Sequence, residues 1–309
     1  MEQNNKWGIV YCPKHGWRHR HNWEKIEQML EAKGVAYDFV QSEAQDGVER
    51  LVSMMIDNGY NTIIIAGGDS ALNGAVNSLM CADEKRREEI ALGVIPNGVM
   101  NDFSRYWGFS EDSLEDTINE LIHHRVRKID IGCMHYTDKN DQPQNRYFLN
   151  CVNVGLVAGL MDLRQQTRHL FGSRMLSFAS SLVVMIFRRK EYRMDLTINH
   201  ERIARRVMSV CIGSGPGYGQ TPSAVPYNGM LDVSLVWQPE VMQLFEGVWL
   251  LFTNRFLNHK NVLPYRTREV KFEKAKHAPV GIDGHAIGSP VGEFKITVEQ
   301  EMVNFLIPR

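Results

Sequence analysis

A glycine corner between a strand and a helix can hold phosphate, because backbone N–H groups at the helix N-terminus point outward and carry partial positive charge. This sequence has two such corners. The first is Gly67-Gly68-Asp69-Ser70-Ala71-Leu72-Asn73-Gly74, between the β-branched run Ile63-Ile64-Ile65 and an apolar pattern at Leu72, Val76 and Leu79 with helical spacing. The second is Pro96-Asn97-Gly98-Val99-Met100-Asn101-Asp102-Phe103, after the strand-like Ala91 to Ile95. A plain strand-to-helix turn fits the first corner as well as a phosphate site does. Ligands of open parallel sheets sit beyond the carboxyl ends of the strands, so the two corners are expected to converge on one crevice. A third glycine-rich stretch, Gly213 to Gly219, lacks the Lys-Ser/Thr ending of a phosphate loop and reads as a flexible turn.

The elements that would position these corners follow from periodicity. Strand-like Trp7 to Tyr11, helical Trp23 to Leu30 with a stop at Gly34, strand-like Val35 to Val40 and helical Val48 to Ile56 precede the first corner. Asp83 to Glu89 reads as a charged surface segment, and Ser110 as the cap of a helix carrying Leu114, Ile118 and Leu121. Such alternation is the signature of a parallel sheet with helices on its faces. Past Gly132 it stops. Strand-like runs follow at Phe148 to Leu156, Met194 to Ile198, Val207 to Ile212, Leu231 to Val236 and Val270 to Phe272, with helical Ser173 to Phe187 and Pro239 to Leu257 between them. The expected plan is an α/β domain over 1–128 and a mostly antiparallel β-rich domain over 129–290. Two final strands, Phe294 to Val298 and Met302 to Ile307, could return within 291–309 to the first domain.

A net charge of −1 and a pI near 6.8 give no global reason to expect a nucleic-acid partner. The five cysteines form no Cys-x-x-Cys pair, which favours reduced thiols over a disulfide framework or a zinc site. The start, Met1 to Lys6, is too polar for a secretory signal, and no apolar run reaches the roughly 18 residues of a membrane span. A cytoplasmic protein, peripheral at most to a membrane, is the expectation. Met175 to Phe187 reads as helical core by default, but Arg188-Arg189-Lys190 directly after it would suit an anionic membrane surface.

Taken together, the motifs resemble the diacylglycerol kinase catalytic family, in particular bacterial soluble lipid kinases. Gly67 to Gly74 is similar to the family's Gly-Gly-Asp-Gly-Thr-x-Asn-Glu, and Gly98 to Arg105 to its Gly-Thr-Gly-Asn-Asp-Phe-Ala-Arg. Lys128 to Gly132, Asn150 to Gly155, Pro222 to Val233 and Gly281-Ile282-Asp283-Gly284-His285 match later motifs in order and spacing. NAD kinases share Gly-Gly-Asp and the two-domain plan but lack the Asn-Asp-Phe that Asn101-Asp102-Phe103 supplies. The resemblance implies a two-domain lipid kinase/NAD kinase-like fold, with ATP and Mg²⁺ as cofactors and transfer of the γ-phosphate to a lipid hydroxyl. It implies nucleotide binding by Gly67, Gly68, Asp69, Ser70, Asn73, Gly98, Asn101 and Asp102, metal binding by Asp69, Asp102 and Asp130, and catalysis by Asp69 and His285. A lipid substrate and transient contact with a membrane surface are the implied partners, and a homodimer is left open.

The cradle departs from the family at several places. Ser70 stands for a glycine that permits unusual backbone angles, a left-handed non-glycine costing on the order of 1 kcal/mol. Ala71 and Val99 stand for threonines, Met100 for a second glycine, Gly74 for a glutamate and Cys12 for an asparagine. His285 stands where the family has a glutamate base; imidazole, with an ordinary pKa near 6.5, can take a hydroxyl proton but cannot serve as a carboxylate. A loop histidine without catalytic duty is the bland reading. The alternative to a working kinase is a catalytically impaired kinase fold that binds nucleotide or lipid as a regulatory module.

Overall fold

The computed structural model describes residues 6–13, 20–43, 47–98, 101–110, 112–159, 191–237, 240–253, 255–290 and 292–309. The chain divides into two compact units, Met1–Ile131 with Gln300–Arg309, and Gly132–Glu299. The division falls within two long strands, three residues beyond the expected boundary at 128, and only ten C-terminal residues join the first unit.

The first unit is built on parallel strands β1 (Trp7–Tyr11), β2 (Tyr37–Gln41), β3 (Thr62–Gly67) and β4 (Ala91–Pro96), ordered β2-β1-β3-β4. Every residue of β1, β3 and β4 is buried, as expected of strands covered on both faces. Helices α1 (Arg20–Ala32), α2 (Gly47–Asp57), α3 (Asp69–Met80), α4 (Glu84–Glu89), α5 (Asp102–Tyr106) and α6 (Leu114–Ile122) connect them. α2 buries Val48, Leu51, Val52, Met55 and Ile56, the i, i+3, i+4 set that its sequence spacing predicts. The charged segment is the short helix α4, whose Arg86 donates to the carbonyls of Ile56 and Tyr60. The cap of α6 is Ser113 rather than Ser110; the Ser110 hydroxyl instead accepts the N–H of Asp112, two residues before the helix begins.

The strand β5 (Val126–Thr137) enters the second unit, where β6 (Pro143–Phe148) pairs with it antiparallel. The run expected as one strand from Phe148 to Leu156 is thus split between β6 and β7 (Cys151–Gly155). β8 (Tyr192–Ile198), β9 (Glu201–Val207) and β10 (Ser209–Gly213) follow, so Val207 to Ile212 spans two strands. Next come β11 (Leu231–Val236), α7 (Val241–Phe252), β12 (Val262–Thr267), β13 (Glu269–Ala275), β14 (Val280–Ile282) and β15 (His285–Gly288). One antiparallel sheet runs β12-β11-β10-β7-β14-β15. β8, β9 and β13 form antiparallel pairs beside it, and both layers close on Phe148, Val154, Leu196, Ile212, Leu231 and Phe272. α7 is shorter than the expected Pro239 to Leu257, and Ser173 to Phe187 lies outside the described residues.

The two expected C-terminal strands are one, β16 (Phe294–Leu306). Its first half pairs antiparallel with β13, and Asn304 and Phe305 pair parallel with β4. Between the halves the strand takes a left-handed step at Glu301, φ 53°, whose N–H donates to Asp130 Oδ1 at 2.9 Å. That bond is the physical reason that a polar Gln300-Glu301 pair does not end the strand.

Candidate active site

The two glycine corners meet in the first unit. Asn97 donates its N–H to the Gly67 carbonyl at 2.9 Å and its Nδ2 to the Cys12 carbonyl at 3.2 Å, tying the ends of β4, β3 and β1 together. A Cβ at Gly98 would lie 2.2 Å from Gly68 Cα, so only glycine lets the corners approach. Asn101 braces that turn with two bonds to the Gly98 backbone, N–H to Oδ1 at 3.0 Å and Nδ2 to the carbonyl at 3.1 Å. Asp69, the first residue of α3, accepts the N–H groups of Asp102 at 2.9 Å and Phe103 at 3.2 Å, and so anchors the start of α5.

This arrangement revises several sequence expectations. Ser70 lies in the first turn of α3 and not among the positive-φ residues, because Gly68 alone makes the corner in an extended conformation (φ −103°, ψ −176°). The strain expected at Ser70 is absent. Asn73 is fully buried and accepts from Asn77, which places its side chain beneath the corner rather than on its surface. Gly74 faces α2, where an added Cβ would touch Val48 and Glu49 at 3.5 Å. Val99 and Met100 lie outside the described residues.

Asp69, Asp102 and Asp130 do not come together as a ligand cluster; the single group of three close donor residues among those described is Cys133, His135 and Glu299. Asp69 and Asp130 are buried, with carboxylates engaged by backbone N–H groups. Asp102 remains partly exposed, its Oδ1 3.2 Å from Arg105. Desolvation raises its pKa, against the lowering effect of Arg105. Burial also pushes the Cys12 thiol up to about 12, so this substitute for the family's asparagine stays neutral.

In the second unit, Asp283 and Gly284 form the two-residue turn between β14 and β15, with Ile282 paired to His285. Both have positive φ, 43° and 85°, as an Asp-Gly hairpin of the primed type requires. The buried Asp283 carboxylate accepts three backbone N–H groups, from Leu149 at 2.7 Å, Asn150 at 3.0 Å and Cys151 at 2.8 Å. His285 is therefore the half-buried first residue of a strand whose turn is fixed from below. The Gly213 to Gly219 loop is not a loose turn: Ser214 and Gly215 donate to the Asn150 carbonyl, and Thr221 Oγ1 closes onto Gly215. Under it the Asn150 amide is fully buried with neither Oδ1 nor Nδ2 hydrogen-bonded. Sequence reasoning passed over Asn97 and Asp283; the Asp-Gly pair between two short apolar runs was the available signal for the second.

Residues 6–134 match the diacylglycerol kinase catalytic domain, and residues 150–303 match the YegS C-terminal NAD kinase beta sandwich-like domain. A diacylglycerol kinase of Bacillus subtilis is 22% identical over 240 residues, 76% of this chain and 74% of the relative. A crystal structure of a diacylglycerol kinase from Bacillus anthracis superposes with a TM-score of 0.68 at 16% identity, over 99% of this chain and 98% of that one. Yeast NADH kinase complexed with NADH superposes at 0.56 with 10% identity, over 98% and 83%. At those identities the superpositions speak for the fold alone, that of the diacylglycerol kinases and NAD kinases. With both domains matched in order along nearly its whole length, the chain belongs to the diacylglycerol kinase catalytic family.

Proposed function

We propose that this protein is an ATP-dependent lipid kinase of the diacylglycerol type. The observation that carries the reading is the locked pair of corners, in which Gly98 seats against Gly68 and Asp69 anchors α5. The donors present fit a nucleotide's phosphates: α3 begins at the corner, its N-terminal N–H groups and dipole favour anions, and no Cβ intrudes at 67, 68 or 98. Bound ATP with its Mg²⁺ supplies the phosphoryl group and neutralises its charge. Magnesium is commonly held by one or two carboxylates together with the phosphates. Asp102 fits that part, whereas Asp69 and Asp130 position backbone. His285, presented by the Asp283-Gly284 turn, takes the proton of the lipid hydroxyl.

The acceptor calls for a membrane surface, and one face of α7 suits it. Leu244 packs inward against Leu156, Met208, Val236 and Val262, while Met242, Phe245 and Trp249 are 76%, 47% and 69% exposed. Exposed Arg255 and Lys260 follow this face and complement anionic headgroups. No helix among the described residues is long and apolar enough to cross a membrane.

The engagement of Asp69 and Asp130 by backbone N–H groups favours a second reading, a kinase fold that binds without catalysing. Thermal melts with ATP, with and without Mg²⁺, separate the two when joined to a transfer assay. Stabilisation by about 2.7 kcal/mol at 100 times the dissociation constant together with labelled lipid supports the kinase. Stabilisation without transfer to any lipid supports the binding module.

A further inference from the structure

On one face of the second unit, three neighbouring strands bring together side chains that the kinase reading does not use. β5 contributes Cys133 and His135, two residues apart and so on the same face. β6 places Tyr147 opposite Cys133 and Asn145 opposite His135. β16, which also pairs with β5, contributes Thr297 and Glu299. One donor atom from each of Cys133, His135 and Glu299 lies within 4.8 Å of the other two.

We propose that Cys133, His135 and Glu299 form a binding site for a thiophilic divalent cation of the zinc type, separate from the metal that accompanies a nucleotide. Zinc takes thiolate, imidazole and carboxylate ligands at about 2.0–2.3 Å, which at tetrahedral angles sets donor atoms about 3.3–3.7 Å apart. The separations here are near or somewhat above that range: His135 Nε2 to Glu299 Oε1 is 3.9 Å, and one donor atom from each of the three residues lies within 4.8 Å of the others. A contraction of up to about 1 Å would complete the set.

The surroundings orient the ligands in the way metal sites require. Asn145 Oδ1 lies 2.8 Å from His135 Nδ1, which fixes the ring with Nε2 on the Thr297 hydroxyl, the contact that an ion would displace. The Thr297 hydroxyl lies 2.9 Å from His135 Nε2 and 2.8 Å from Glu299 Oε1, so imidazole and carboxylate are aimed at one point. Cys133 is buried, whereas the His135 and Glu299 side chains are 35% and 36% exposed, giving an ion a path in and a water a fourth position. The ligand chemistry selects the ion. Magnesium and calcium take oxygen ligands, and a thiol buried as Cys133 is yields its proton only to a cation with high thiolate affinity.

Cobalt(II) is the probe, because a thiolate ligand gives it a charge-transfer band that nitrogen and oxygen ligands do not. The full chain should bind one equivalent, show the band, and release the cobalt to zinc but not to magnesium. Cys133→Ser should abolish the band, while Cys81→Ser, the exposed cysteine on the first unit, should leave it unchanged. His135→Ala and Glu299→Gln should each weaken binding by tenfold or more, and Asn145→Ala by about 10–100-fold through loss of ring orientation. Thermal melts without metal establish that each variant is folded, and His135→Gln serves if His135→Ala is not. Absence of the band, a band that survives Cys133→Ser, or unchanged affinity in His135→Ala and Glu299→Gln would overturn the site.

Discussion

Asp69 holds the two corners together through hydrogen bonds to two backbone N–H groups, which makes its contribution measurable apart from any catalysis. Asp69→Ala leaves the buried Phe103 N–H and the part-buried Asp102 N–H without this acceptor and should lower unfolding free energy by about 2 kcal/mol in urea titrations. Asp69→Asn keeps one acceptor and should lose roughly half as much. At Asp102 the expected sign is opposite. Its proton is held more tightly in the folded than in the unfolded chain, so ionisation works against folding as pH rises from the ordinary carboxylate range through the raised pKa. Asp102→Asn should match wild-type stability in acid, exceed it at neutral pH, and lose the Mg²⁺-dependent part of ATP binding. For His285, His285→Ala should lose about 10²-fold or more in the transfer rate. His285→Ala matching wild type in rate would remove the histidine from the mechanism. Residue types were legible where a motif names them, as at Gly67, Gly68 and Gly98. What a sequence does not print is which carboxylate a distant backbone N–H will find, so the backbone bonds of Asp69 and Asp130 were not legible, and Asp283 was named in its motif without a role.

Elements with strong periodicity or a fully apolar run were legible, as α2, β3 and β4 show. Failures fell where tertiary pairing overrides local pattern. β9, with burial only at Ile203 and Val207, has too few apolar residues to announce itself, and exists as the edge partner of β8. β16 continues through a polar pair because Asp130, 171 residues away in sequence, receives the Glu301 N–H. The β14–β15 turn depends likewise on a distant partner, and Asp283→Ala should cost on the order of 3 kcal/mol by releasing three buried donors. The exposed face of α7 carries its own expectation. Replacing Met242, Phe245 and Trp249 together by serine should leave stability nearly unchanged and weaken sedimentation with anionic vesicles by tenfold or more. Equal vesicle binding by the triple variant would move membrane contact elsewhere on the molecule.

At the scale of the chain, near-neutral charge and two successive folding patterns give the two-unit plan and little else; the chemistry comes from where the corners sit. The departures at Ala71 and Gly74 now have a local setting. The Ala71 Cβ would lie 2.9 Å from a Cβ at Gly67, and Gly74 packs against α2. The most direct measurement is transfer of label from γ-labelled ATP into diacylglycerol presented in anionic vesicles with Mg²⁺, for wild type and Gly98→Ala. The variant places a Cβ 2.2 Å from Gly68 Cα and must separate the corners. Label entering the lipid with wild type, and falling at least tenfold with a folded Gly98→Ala, is the predicted result. No label in diacylglycerol or any other lipid alcohol with wild type, or equal transfer by the two proteins, would contradict a kinase built on these corners.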